Sequence, residues 1–265
     1  MHNQIQSIDI QFPATIWTIV PDPYENQLAV ICRNGDKPSS EVSMVKLGAE
    51  PQWTLASSTE LDWWDIPIAL VGAHLVCTRY PDPSMPIARG IYVYHLDEQS
   101  LVWTDPQAHV EDVFPGYLTC RPDKLADIVN RSLKDGTLWN KALQHPDESY
   151  ASKTKAWIHA PRMKPVADAR AFKSEENLSP QSSTQHVSAE GASNTRQALW
   201  LVEYTLSRSG GGIAYVYHQN ASEPVHTNLS EGAHPKETSM VMGEHLLVLP
   251  TPTELSIFTL TSSKS

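Results

Sequence analysis

Eleven histidines give this 265-residue chain its largest store of side chains that bind metals or move protons near neutral pH. Four recur in matching contexts. His74 in "VGAHLV" and His245 in "MGEHLL" open apolar runs, and His95 and His218 each end a copy of "YVYH". Imidazoles at repeated positions of a ring-like fold would converge on its axis, where they could hold a divalent metal and activate water. His74, His95, His218 and His245 are therefore the candidate ligands of a metal-assisted hydrolase or lyase. The competing reading is structural and is favoured: an amphipathic ring at a strand end sits half exposed. No two histidines fall at HxH or HxxxH spacing beside a carboxylate cluster.

The cysteines offer a second chemistry. Cys32, Cys77 and Cys120 lie 45 and 43 residues apart, each closely followed by an arginine, Arg33, Arg79 or Arg121. A nearby cation can activate a thiolate, but only at a partly exposed site. Mid-strand thiols flanked by apolar residues are better read as core. Trp53, Trp63 and Trp64, near Asp62 and Asp65, form an aromatic and acidic cluster. Tryptophan dominates interface hot spots and also fills cores. Trp63, Trp64 and Asp65 are the candidate ligand- or partner-binding residues. "SGGG" at 209–212 reads as a flexible hairpin rather than an anion nest. No Gly-x-Ser-x-Gly, P-loop or Gly-x-Gly-x-x-Gly following a strand occurs, so no catalytic residue and no cofactor is assigned.

Composition narrows the classes. Apolar residues make up 40% and charged residues 19%, which is ordinary for a globular protein. A net charge of −10 repels a phosphate backbone, so nucleic acid is not an expected partner. No apolar run approaches the length that crosses a bilayer, so no membrane association is expected. "MHNQIQSIDIQF" lacks the basic and apolar regions of a secretory signal, and the expected location is cytoplasmic. Three widely spaced cysteines fit reduced thiols.

Short β-branched and aromatic runs between Pro, Gly, Asp and Asn clusters supply the elements that would position these residues. They predict strands at 15–20, 27–32, 42–47, 66–71, 74–79, 90–95, 100–104, 117–120, 198–206, 213–218, 238–242, 245–249 and 254–260. Echoes run through them. "YVYHLDEQSLVWT" and "YVYHQNASEPVHT" share six of 13 positions at a separation of 123 residues, and the Gly-x-His-Leu copies lie 171 apart. With the cysteine steps, these distances fit a period of about 41–45 residues, three and four steps respectively, as in architectures with one four-stranded blade per unit. Residues 122–197 break the pattern. "RPDKLADIVNRSLKDG" has Asp123 to cap and Gly136 to end a helix, and "ESYASKTKAWIHA" reads as a second helical piece. The polar stretch after it reads as a loop.

The expected fold is all-β: one propeller-like domain over 1–265, of four to five blades, with 122–197 a helical and loop insertion. An open β-sandwich is the alternative. The aromatic strand followed by Trp-Thr resembles the blades of the β-propeller class. The layout, with Glu203-Tyr204, "YVYH" at 215–218 and Thr227-Asn228 toward the C-terminus, resembles a bacterial family of about this length that has no assigned activity. That resemblance implies a fold and transfers no catalytic residue. Trp64-Asp65 occurs once, without the upstream Gly-His of WD repeats. The expected function is a non-catalytic binding or scaffold module for a protein or small-molecule partner.

Overall fold

The computed structural model describes residues 3–47, 55–80, 87–122, 127–139, 149–159, 162–165, 184–188, 200–206, 212–218, 221, 223, 225–230, 239–242 and 245–262. They form an all-β chain of five antiparallel sheets with one helix, grouped into two compact units, Pro13–Ala156 and Met1–Phe12 with Trp157–Ser265. Five small sheets, not two large ones, carry the strands. Among the described residues no helix is long and apolar enough to cross a membrane.

The chain begins with β1 (Asn3–Gln11), which belongs to the last sheet. The unit Pro13–Ala156 then holds three sheets in chain order. The first contains β2 (Thr15–Asp22), β3 (Gln27–Arg33), β4 (Ser39–Lys46) and β5 (Leu55–Asp62). The second contains β6 (Asp65–Val71), β7 (His74–Arg79), β8 (Arg89–His95) and β9 (Ser100–Asp105). The third contains β10 (His109–Phe114), β11 (Tyr117–Arg121) and β12 (Val129–Ser132). Helix α1 (Tyr150–Trp157) follows, and Tyr150 donates its hydroxyl to the Pro21 carbonyl at 2.8 Å. Ala29, Ile31, Val42, Leu70, Leu75, Val93 and Leu118 belong to one continuous buried core in this unit.

The turn at "PDP" fastens two of these sheets together. Asp22 is fully buried. Its Oδ1 accepts the Tyr24 amide and its Oδ2 accepts the Gly72 amide at 2.7 Å and the Gln27 side-chain amide at 2.9 Å. Gly72, at φ +59°, is the left-handed turn residue that brings this amide to the carboxylate.

The other unit contains β13 (Ile158–His159), β14 (Arg162–Pro165), β15 (Thr184–Ser188), β16 (Trp200–Leu206), β17 (Gly212–His218), β18 (Val225–Leu229), β19 (Ser239–Met242), β20 (His245–Thr251) and β21 (Glu254–Ser262). β14 to β18 make one sheet in chain order. In the other, β1 pairs with β21 along nine register positions, so the N-terminal strand completes the sheet of the C-terminal strand. Trp200, Val202, Ala214, Val216, Leu246 and Phe258 form its core.

Two expectations for 122–197 are corrected. Residues 129–132, expected in a helix, are a strand: Val129 to Ser132 pair with Cys120 to Tyr117, and the exposed ladder of β11 outweighs a short helical period. Gly136 closes a turn at φ +70°, where an added Cβ would lie 2.8 Å from the Trp103 indole. The stretch expected as a loop contains β15, paired on both sides. The second helical piece is α1. Residues 123–126 and the hairpin connection at 207–211 lie outside the described residues.

The spacing of the echoes is also adjusted. The "YVYH" copies fall in β8 and β17, two sheets apart in chain order, not three. The Gly-x-His-Leu copies begin β7 and β20, three sheets apart, not four. Among the described residues between β12 and β16, β13, β14 and β15 join sheets of the other unit and form no sheet of their own. Cys32, Cys77 and Cys120 lie in β3, β7 and β11, the second strands of three consecutive sheets.

Candidate functional site

The first strands of these three sheets share a bulge. β2, β6 and β10 each insert one extra residue directly after the partner of the cysteine: Trp17 after Ile16, Ile68 after Pro67, and Glu111 after Val110. A bulge bends its strand and re-aims the extra side chain. At this level the second strands end on Arg33, Arg79 and Arg121, and the surroundings of the three arginines differ.

In the second sheet Asp65 lies opposite Arg79 in register. Its carboxylate is buried and accepts Arg79 Nε at 2.7 Å, Arg79 Nη2 at 3.1 Å and the Tyr94 hydroxyl at 2.6 Å. Asp62 adds a second carboxylate 3.5 Å from Arg79, and the Tyr92 ring lies 4.1 Å from the guanidinium. Burial alone would lower the Arg79 pKa. The hydrogen bond and charge of Asp65, with Asp62, outweigh it and hold the guanidinium above its ordinary value. The Tyr94 hydroxyl is pushed up by burial and by the Asp65 bond. In the third sheet Glu111 Oε1 accepts Arg121 Nε at 2.5 Å.

In the first sheet the guanidinium of Arg33 lies against two indoles. The Trp17 ring centroid is 3.2 Å from its central carbon and that of Trp63 is 4.8 Å away. Arg33 Nε donates to Ser40 Oγ at 3.1 Å and Nη2 to the Trp63 carbonyl at 2.7 Å. Burial lowers its pKa. Beside it Gly35, Asp36, Lys37 and Pro38 of the β3–β4 turn face Asp62, Trp63 and Trp64 across a cleft of about 510 Å³. The Asp62 carboxylate caps the Trp64 amide at 2.9 Å and fixes the turn that presents both indoles. Trp17 and Trp64 are each 40% exposed.

Trp63 and Trp64 both line this cleft, while Asp65 is engaged by Arg79 and Tyr94 in the second sheet. Trp53 lies outside the described residues. Sequence reasoning missed Trp17. Its place on a bulge leaves no local signal.

Each unit holds two of the four histidines. His74 and His95 are register partners whose rings meet edge to face at 4.9 Å, and burial followed by the charge of His95 lowers the His74 pKa. In the other unit, buried His218 packs edge-on against Trp200 at 4.7 Å, and His245 Nδ1 lies 2.9 Å from Thr259 Oγ1. Among the described residues no three His, Cys, Asp or Glu side chains form a group able to hold a metal. A second concavity, of about 410 Å³, is lined by Asp9, His226, Asn228, Thr251 and Glu254. Burial and the neighbouring Asp9 raise the Glu254 pKa. The three thiols are buried, and burial raises each, that of Cys32 to about 11 with a further contribution from Glu41. They are core side chains at neutral pH.

No protein-family model matches the chain, and comparison with curated proteins gives no match.

Proposed function

We propose that the chain is a non-catalytic binding module, a single propeller-like domain whose five sheets are successive blades and whose first-sheet end carries the recognition site. The element order supports the blade reading: antiparallel sheets follow one another along the chain, and the terminal strands share one sheet. The observation that carries the function is the pair of half-exposed indoles, Trp17 and Trp64, held on a bulge and a capped turn beside a cleft large enough for a small molecule or an anchoring side chain. Exposed tryptophans cost solvation unless a partner covers them, and rigid aromatic anchors lose little entropy on binding.

Capture from a native lysate with the wild-type chain and with Trp64→Ala tests this. A specific partner or metabolite retained by the wild type and lost with Trp64→Ala is the expected result. Equal retention by both chains would remove the cleft as the recognition site.

A further inference from the structure

The three arginines provide an internal control for what is absent around Arg33. Glu111, on the bulge of β10, pairs with Arg121, and Asp65, opposite Arg79, pairs with that arginine. The residue on the bulge of β2 is Trp17. Arg33 therefore has an indole where Arg121, which like Arg33 directly follows its sheet's cysteine, has a carboxylate. Among the described residues no carboxylate lies within salt-bridge distance of its guanidinium. Glu41, on the neighbouring strand, is engaged by Lys37 at 3.6 Å, and Asp62 by Arg79 at 3.5 Å. A guanidinium carries five N–H donors. Only Nε and Nη2 of Arg33 have acceptors among the described residues, which leaves the Nη1 edge to donate. Two indoles lie against the guanidinium, and its unused edge is the kind of planar N–H donor edge that suits a carboxylate.

We propose that Arg33 binds the carboxylate of a small organic acid whose apolar body lies against Trp63 and Trp64 in the adjoining cleft. The ligand carboxylate takes the place that Glu111 fills in the third sheet. Partial burial destabilises the unpaired Arg33 cation, and an incoming anion relieves that penalty. The net charge of −10 disfavours an extended acidic segment and favours a ligand with a single negative charge. The hydrogen bonds to Ser40 Oγ and the Trp63 carbonyl hold the guanidinium, so its geometry is set before binding.

The inference rests on the reading of the first-sheet end as a binding face and names its ligand chemistry. The probe is benzoate, with benzamide as the neutral analogue and acetate as the carboxylate without a ring, all at fixed ionic strength. The readouts are the Arg Nε–H resonance assigned to Arg33 and indole fluorescence. Benzoate is expected to shift both saturably, acetate to shift the Arg33 resonance more weakly, and benzamide to leave that resonance in place. Trp17→Glu, which builds the third-sheet pairing into the first sheet, is expected to weaken benzoate by roughly tenfold or more while the far-ultraviolet circular dichroism is unchanged. Arg33→Lys keeps the charge, loses the planar fork and is expected to weaken benzoate by about tenfold. No response of the wild type to benzoate, equal shifts by benzoate and benzamide, or undiminished binding in both variants would overturn the proposal. Loss of partner capture in Trp64→Ala without any benzoate response would retain the binding face and discard the carboxylate.

Discussion

In the first sheet a guanidinium lies against two indoles with no carboxylate in salt-bridge reach among the described residues; in the second, one strand position on, a guanidinium is held by a buried aspartate, a tyrosine hydroxyl and a second carboxylate. Both arginines end the second strand of their sheet, and both sheets bulge at the neighbouring level of the first strand. Similar backbones therefore support two kinds of environment. The Arg79 cluster is closed: Asp65 is 1% exposed and its oxygens are used. The Arg33 cluster is open: it ends in exposed indoles and an unused edge of a cation. A closed polar network specifies and stiffens a fold, whereas an open one is available to a ligand.

The largest effect expected is on the closed side. Asp65→Ala leaves the Arg79 guanidinium and the Tyr94 hydroxyl without their acceptor in a buried place. The expected loss is about 3 kcal/mol in urea denaturation, the lower end for breaking a buried pair because Arg79 retains some solvent contact. On the open side, Arg33→Ala removes two cation–π contacts and the packing of the arginine stem, with an expected loss of about 1 kcal/mol. If Arg33→Ala costs as much as Asp65→Ala, both clusters are structural and the contrast fails. Replacing Trp64 by Ala sharpens the contrast further. It is expected to change stability by less than about 0.5 kcal/mol, because its indole is 40% exposed and the turn is held through its backbone amide by Asp62.

These two environments were unequally legible in the sequence. The strands around Cys32 and Cys77 follow from runs of Val, Ile, Leu and Ala, because alternation and β-branching are local properties of a chain. The Trp63-Trp64 pair was visible because both residues are adjacent in sequence. Trp17 and Asp65 were placed by register instead. A bulge at Trp17 and its absence at Asp65 decide which side chain meets the arginine, and one residue of register moves a side chain to the other face. β12 was hidden for the same reason: its hydrogen bonds go to β11, nine or more residues away, while its own sequence carries a helical period. β1 looks polar and gains its place from pairing with β21 at the far end of the chain.

The smallest effect concerns protons and again separates the two sheets. The first sheet has no histidine between Thr15 and Asp62, whereas the second pairs His74 with His95 across β7 and β8. Burial, then the charge of His95, lowers the His74 pKa, with Glu98 opposing. A histidine whose folded pKa lies below its unfolded value contributes stability that is fully present above about pH 6.5 and declines as the pH falls below that, where the unfolded chain takes the proton first. His218 in the other unit shifts in the same direction, so a global melting curve would mix the two. Hydrogen exchange read peptide by peptide keeps them apart. Between pH 7.5 and 5.5, after correction for the intrinsic rate, β7 and β8 are expected to lose protection relative to β2 and β3. His74→Gln is expected to reduce that difference, because it removes the titrating ring while leaving a polar side chain at the strand end. Equal loss in both sheets, or an unchanged difference in His74→Gln, would show that the acid response does not originate in the histidine pair and that the second sheet is not set apart by its ionisable groups.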